Sequence, residues 1–234
     1  QMTCVAVEGG LRGATGRYAP EGQLVRFLGT HDSDRMGSRA AFDPAQHCRF
    51  VEGGACATLP VDPTDPAVFG QLRRAFTVLY TGPGIPFLYY GDELAMAGGN
   101  DPDNRRDMVW TGPLASLAMG STTTSSAQED FRSFMRALGR ARADSVALRR
   151  GRRVVLHVGE HLYVYAYTHA SGDLALVAVN RGGALSAHRV DLTASMLGSA
   201  TRLEAVAGAG TAALDGTRVS LTLEAGAAVV FAAR

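Results

Sequence analysis

The sequence predicts an α/β segment followed by an all-β segment. Two short apolar runs, Leu24 to Gly29 and Ile85 to Tyr90, flank one helical pattern over 67–80. Strand, helix, strand in that order makes a βαβ unit, whose two strands run parallel. After Arg150 the chain changes to short alternating or β-rich runs, "RVVLHV", "HLYVYAYTH", "DLALVAVN", "HRVDL", "RLEAV", "RVSLTL" and "AAVVFAA". Polar or Gly-containing turns separate most of them at roughly ten-residue spacing, the pattern of an antiparallel sandwich. The change of character near Arg149 to Arg153 divides the chain into 1–150 and 151–234.

Each element follows from its residues. Leu24 to Gly29 is short and mostly apolar, as a strand buried on both faces is. The Gly, Pro and Asp of 36–66 predict a long loop. In "AVFGQLRRAFTVLY" the residues Val68, Leu72, Ala75, Phe76 and Leu79 fall at helical spacing. Asp65 before Pro66 is a helix start signal, and Thr81-Gly-Pro-Gly is a stop. Ile85 to Tyr90 reads as a second buried strand. A long polar loop from Gly91 leads to a helix over 127–142, with Ser126 as its N-cap and Glu129 as the capping-box partner. Phe131, Phe134, Met135 and Leu138 share one face of that helix. Residues 1–22 are Gly-rich and weakly patterned.

The 234 residues are 46% hydrophobic and 19% charged, which predicts a packed core. A formal net charge of +1 gives no electrostatic case for nucleic acid or an anionic membrane as partner. All the basic residues are Arg, a compositional habit from which no function is read. No apolar run reaches the length of a membrane span. Cys48 and Cys56 bracket a short Gly-containing loop that could close as a disulfide, which would place maturation in an oxidising, extracellular or periplasmic compartment. Three reduced thiols, Cys4 included, is the equal alternative. No Cys or His spacing marks a metal site.

"FLGTHDSDR", Phe27 to Arg35, ends an apolar run with the pair His31 and Asp32. Reactive groups in α/β barrels sit at the C-terminal ends of parallel strands. The second strand ends alike, in Tyr89-Tyr90-Gly91-Asp92-Glu93. Taken alone, a His and an Asp after a strand serve equally as a turn and a helix cap.

The longer run "GIPFLYYGDELAMAGGNDPDNRRDMVW", Gly84 to Trp110, following "FLGTHDSDR", resembles the last quarter of the α-amylase family barrel. That family's strand-7 motif reads Phe-x-x-Asn-His-Asp. Its strand-8 motif reads Gly-Ile-Pro-x-x-Tyr-Tyr-Gly-x-Glu, followed by Gly-Gly-Asn-Asp-Pro-x-x-Arg. An Arg-rich junction like "ARADSVALRRG" and a small β-sandwich opening like "HLYVYAYTHASGDLALVAVN" come next, so the resemblance spans nearly all of 24–234. It implies the C-terminal quarter of a (β/α)8 TIM barrel, strands 7 and 8 with their helices, followed by an antiparallel β-sandwich.

The resemblance also implies a retaining hydrolase or transglycosylase of α-glucosidic bonds in starch, maltooligosaccharides or cyclodextrins. Such chemistry needs a nucleophile and an acid/base, two carboxyl groups roughly 5 Å apart. In the family these stand on strands 4 and 5. Asp32 matches the third carboxylate, which grips sugar hydroxyls in the distorted, oxocarbenium-like state. His31 matches the neighbouring substrate-binding His. Asp101 and Arg105 match the pair that holds a glucose on the non-reducing side. Thr30 departs from the motif's Asn, which argues against a chloride-dependent variant. Asp92 and Glu93 read as caps and rim charges. Asp103, Asn104 and Arg106 read as loop builders, Tyr89 and Tyr90 as packing, and Trp110 as an anchor or a stacking surface. The Arg run from Arg149 to Arg153 reads as a solvated face or junction, and His157, His161, His169 and His188 as bland.

Two barrel strands cannot close a sheet. Strands 1 to 6, with the nucleophile, the acid and any calcium ligands, are expected on the rest of a larger protein or on a companion polypeptide; this chain itself implies no cofactor. Two other readings stand beside the enzyme. One is a non-catalytic subunit or remnant that binds glucan or a partner. The other is a small protein that packs the two strands differently.

Overall fold

The computed structural model describes residues 3–15, 17, 24–41, 59–111 and 123–234. Cys48 and Cys56 lie outside these residues, so the bridge between them is left as a sequence expectation. Two compact units make up the chain, each assembled from separated segments. One comprises Gln1–Val25, Phe76–Ile85 and Arg136–Arg234, and the other Arg26–Ala75 and Pro86–Met135.

In the first unit, β3 (Arg152–Val158), β4 (Leu162–Thr168), β5 (Leu174–Asn180), β10 (Ala228–Ala233) and β7 (Leu203–Ala207) form a five-stranded sheet in that order. The strands β6 (Leu185–Asp191), β9 (Arg218–Leu223) and β8 (Thr211–Asp215) form a three-stranded sheet. Every pairing in both sheets is antiparallel. The hydrophobic pattern explains the order. β5 is buried along its whole length and β4 nearly so, which suits central strands apolar on both faces. β9 alternates, burying Val219, Leu221 and Leu223. Val164, Leu176, Leu221, Val229 and Phe231 belong to one core cluster that draws on both sheets and on α6 (Ala194–Leu197).

The sequence pattern did not anticipate α1 (Cys4–Thr15), because Gly9, Gly10 and Gly13 weaken its propensity. Burial compensates. Leu11 and Cys4 are buried, and Thr3 accepts the Ala6 amide at 3.2 Å as an N-cap does. The buried Glu8 carboxylate accepts from the Arg12 and Arg153 guanidiniums and the Tyr163 hydroxyl. Past α5 (Val146–Arg150), capped by the Ser145 hydroxyl, the chain enters β3.

Two further strands fall at the boundaries between the two units' segments. β1 (Val25–Arg26) and β2 (Ile85–Pro86) are two residues each. They pair through Ile85 N to Leu24 O and Phe87 N to Arg26 O, both 2.7 Å, an in-phase stepping that marks parallel strands. The barrel expected from the sequence is not formed. Among the described residues the sheets are open, and the large ones are antiparallel. A closed barrel needs about eight staggered strands, and two dipeptide strands supply one short ladder. Their apolar runs read longer than they are because the chain bends at Leu28 after the first and turns at Tyr90 after the second. The fold class of a TIM-barrel quarter is therefore replaced by open sheets with flanking helices.

Two helices, α3 (Pro66–Thr81) and α4 (Ser126–Asp144), agree with their sequence signals to within two residues at each end. Asp65 accepts the Ala67 amide at 2.8 Å, as its place before Pro66 predicts. The capping box of α4 sits one residue earlier than expected. Ser125 Oγ accepts from Gln128 N at 3.2 Å, while Gln128 Oε1 accepts from Ser125 N at 2.9 Å. Glu129 instead takes the Thr124 hydroxyl and Arg132. The short α2 (Met36–Ala40) stands where a loop was expected.

A buried frame organises the loops of the second unit. Arg35 is fully buried; its guanidinium lies 4.6 Å from the Tyr89 ring centroid and 4.4 Å from that of Tyr90, and its Nη1 donates to the Tyr90 carbonyl. Gly91 adopts φ 83°, and a side chain there would run into Met96 and the Arg35 guanidinium. Asp92 opens a 3-10 turn, Asp92–Leu94, and accepts the Tyr89 amide at 3.2 Å. The turn's own N-cap is Gly91, with no side-chain cap bond, so Asp92 is a buried acceptor for the preceding segment and neither the cap nor the rim charge its position in the sequence indicated. Burial pushes its carboxyl up to about 6, against the lowering pull of that amide and of Arg35.

Two outcomes test this framework. Ser125→Ala should destabilise the protein by about 1 kcal/mol in urea unfolding, whereas Ser126→Ala should be nearly neutral. The reverse order would return the cap to Ser126. The raised Asp92 carboxyl makes the native state hold a proton that the unfolded chain releases from about pH 4. Stability should thus fall by about 2–3 kcal/mol as pH rises from about 4 to about 6, then level off. Asp92→Asn keeps an acceptor for the Tyr89 amide and should gain that margin over wild type across the same window. Parallel pH profiles for the two proteins would refute this account of Asp92.

Candidate functional site

The segment after β1 turns sharply. Ser33 N donates to Thr30 O at 3.3 Å, Thr30 N to Ser33 Oγ at 3.0 Å, and Asp32 N to Thr30 Oγ1 at 3.1 Å. The residue that departs from the resembled motif, Thr30, thus supplies the hydroxyl that closes this turn. His31 and Asp32 occupy its tip, with side chains 65% and 71% exposed, so both are open to a ligand.

The segment after β2 comes back against this turn. Gly98 and Gly99 lead to Asp101 and a 3-10 turn, Asp103–Arg105. Gly98 admits no side chain, since a Cβ there would stand 2.8 Å from Asn104 Cα and 2.9 Å from Asp103 O. Asp103 accepts the Gly99 amide at 2.6 Å and both arms of Arg106, at 2.7 and 2.8 Å. The fully buried Asn104 donates from Nδ2 to His31 O at 2.7 Å and to Ser33 O at 3.0 Å. Asp62 fixes the other side of the loop, accepting Ala97 N at 2.7 Å and Gln128 Nε2 at 2.9 Å.

The residues singled out from the sequence converge here. His31 Nε2 lies 3.3 Å from Asp32 Oδ2, and Arg105 Nη2 lies 3.7 Å from Asp32 Oδ1. Arg105 Nε lies 3.1 Å from Asp101 Oδ1 and donates to His31 O at 3.2 Å. One guanidinium therefore stands between two carboxylates, with an imidazole at one end of the row. Half-exposed ion pairs of this kind contribute about 0–1 kcal/mol to stability. Packing gives little reason for the arrangement. Chemically, it offers two acceptor carboxylates flanked by N–H donors, a match for a diol.

Sequence reasoning did not single out Arg35 or Asp62, and it assigned Asn104 only to the loop. Arg35 lies within "FLGTHDSDR", but neither its complete burial nor its seat between two tyrosines has a signature in spacing. Among the described residues, no group of three or more His, Cys, Asp or Glu is placed to hold a metal ion, and no helix is long and apolar enough to cross a membrane.

No family model matches the chain. A cyclomaltodextrin glucanotransferase of Paenibacillus macerans is 30% identical over 158 residues, covering 68% of this chain and 16% of that protein. An amylopullulanase of Thermoanaerobacter thermohydrosulfuricus is 26% identical over 170 residues, covering 68% of this chain and 10% of that protein. The chain thus spans only a tenth to a sixth of the length of these curated relatives. An Anoxybacillus α-amylase structure is similar in fold, with a TM-score of 0.70 at 20% identity, covering 99% of this chain and 42% of that one. Sequence and fold together support membership of this chain in the α-amylase superfamily.

Proposed function

We propose that the chain is an α-glucan-binding portion of an α-amylase-superfamily protein, lacking in itself the nucleophile and acid/base pair of a glycosidase. The observation that carries this reading is the exposed row His31, Asp32, Arg105, Asp101, held within 3.1 to 3.7 Å from neighbour to neighbour. Sugar hydroxyls both donate and accept. The two Asp carboxylates accept from them, while the Arg105 fork and the His31 ring donate. Binding exchanges water for hydroxyls at groups whose positions are already set. The likeness to a cyclomaltodextrin glucanotransferase and an amylopullulanase supports maltooligosaccharides as the ligand class.

A second reading rests on the same residues. When the chain stands with the other parts of a glycosidase, in one polypeptide or two, Asp32 acts as a third carboxylate. It would favour the oxocarbenium-like state while nucleophile and acid/base come from elsewhere. Calcium, if any, would then be held by those other parts.

Titration calorimetry of the chain with maltoheptaose decides the first reading. Asp32→Asn and Arg105→Ala should each weaken binding by about tenfold, the loss of one charge-assisted hydrogen bond, with thermal unfolding unchanged. Undiminished affinity in both variants would remove the cluster from the ligand. The second reading predicts that, in a hydrolytically competent assembly, Asp32→Asn lowers kcat far more than it raises KM. A change confined to KM would leave only the binding role.

A further inference from the structure

We infer that Arg35 is a positioning residue for the glucan-binding cluster, locking the turn that carries His31 and Asp32 onto the segment that carries Asp101 and Arg105. The inference rests on the glucan-binding reading and adds to it a residue that touches no ligand.

Arginine is almost never fully buried unless paired. Arg35 has no exposed surface, and among the described residues it takes part in no carboxylate ion pair. Among the described residues its buried Nε and Nη2 meet no hydrogen-bond partner. Removing a guanidinium from water costs several kcal/mol; the charge of Arg35 is felt by the buried Asp92 carboxyl, but with no direct ion pair between them the close contacts of Arg35 are those made by its planar shape.

That shape links both sides of the cluster. The plane of the guanidinium is seated against the Tyr89 and Tyr90 rings, and Nη1 holds the Tyr90 carbonyl. Its backbone N–H donates to Gly98 O at 3.0 Å. The Gly98 amide in turn donates to Ser38 Oγ at 2.9 Å, in the helix that follows Arg35 directly. Asp32 lies three residues before Arg35, and Asp101 three residues after Gly98. A lysine would keep the charge without the plane, so it could not face two rings and reach a carbonyl at once.

Hydrogen exchange and binding test the role on Arg35→Lys, Arg35→Met and Tyr89→Leu in the whole chain. In each variant the amides of Asp32 and Arg105 should exchange faster by about tenfold or more. Maltoheptaose affinity should fall by a similar factor, while the amides of β4 and β5 keep wild-type protection. Unchanged exchange at Asp32 and Arg105 in Arg35→Lys overturns the proposal. So does a loss of protection spread equally over β4 and β5, which would make Arg35 a general stability residue. Should Arg35→Met fail to fold, the other two variants still decide. If wild type binds no maltoheptaose, the glucan reading falls, and the exchange data alone decide whether Arg35 positions the two loops.

Discussion

Two carbonyls, those of His31 and Ser33, share one buried side-chain amide. The Asn104 Nδ2 group reaches both from a turn some seventy positions later in the chain. Tight turns and 3-10 segments leave many backbone groups without helical or sheet partners, and a buried group left so costs free energy comparable to a lost hydrogen bond. In the unit that carries the cluster, side chains take over this work. Asp62 takes an amide, Asp103 another, Ser38 a third, and Asp92 a fourth. Fixed in this way, irregular backbone can hold exposed side chains in one arrangement without a strand beneath each of them.

The other unit solves the same problem by repetition. Antiparallel ladders satisfy the backbone, and side-chain alternation decides which face is buried. That difference sets how much was legible in the sequence. Period-2 runs such as "RVSLTL" encode a strand in themselves, and the β-rich region past Arg150 was readable for that reason. α3 was readable because Val68, Leu72, Phe76 and Leu79 repeat at helical spacing and are buried in the structure as that spacing requires. The first helix was not, since its stability comes from Glu8 meeting Arg153 and Tyr163, about 150 residues away. Ser126 was preferred to Ser125 as the cap because capping patterns in adjacent serines differ by one residue, and only the reciprocal bonds with Gln128 separate them. Short apolar runs with no internal stop are the hardest to bound. Leu24 to Gly29 and Ile85 to Tyr90 were each read as a short buried strand over the whole run, and two residues of each are strand.

The cluster itself was legible in part. His31, Asp32, Asp101 and Arg105 were found through the words in which they occur, and those words carry spacing along the chain. Which groups face which is a separate matter. Arg105 standing between both carboxylates, and its bond to the His31 carbonyl, follow from the return of the second loop against the first. The sequence holds no periodicity that would announce such a return. The buried supports were less legible still, because an Arg or Asn inside a loop has the same signature whether it faces water or lies beneath two rings.

Exposure and order seldom coincide in a surface cluster. Long charged side chains in water ordinarily sample many rotamers, and a ligand that gathers them must offset about 0.5–1.5 kcal/mol for each one immobilised. Here Arg105 is held at three points before any ligand arrives: Asp32, Asp101 and the His31 carbonyl. The turn at Thr30 restricts Asp32 and His31 from the backbone side. Part of the ordering cost is then met during folding, by loops whose own stability comes from Asn104, Asp103 and the Arg35 seat and not from the exposed ion pairs. A weak polyhydroxyl ligand, which gains little from each hydrogen bond it trades with water, needs a surface of that kind more than a tightly held apolar one does.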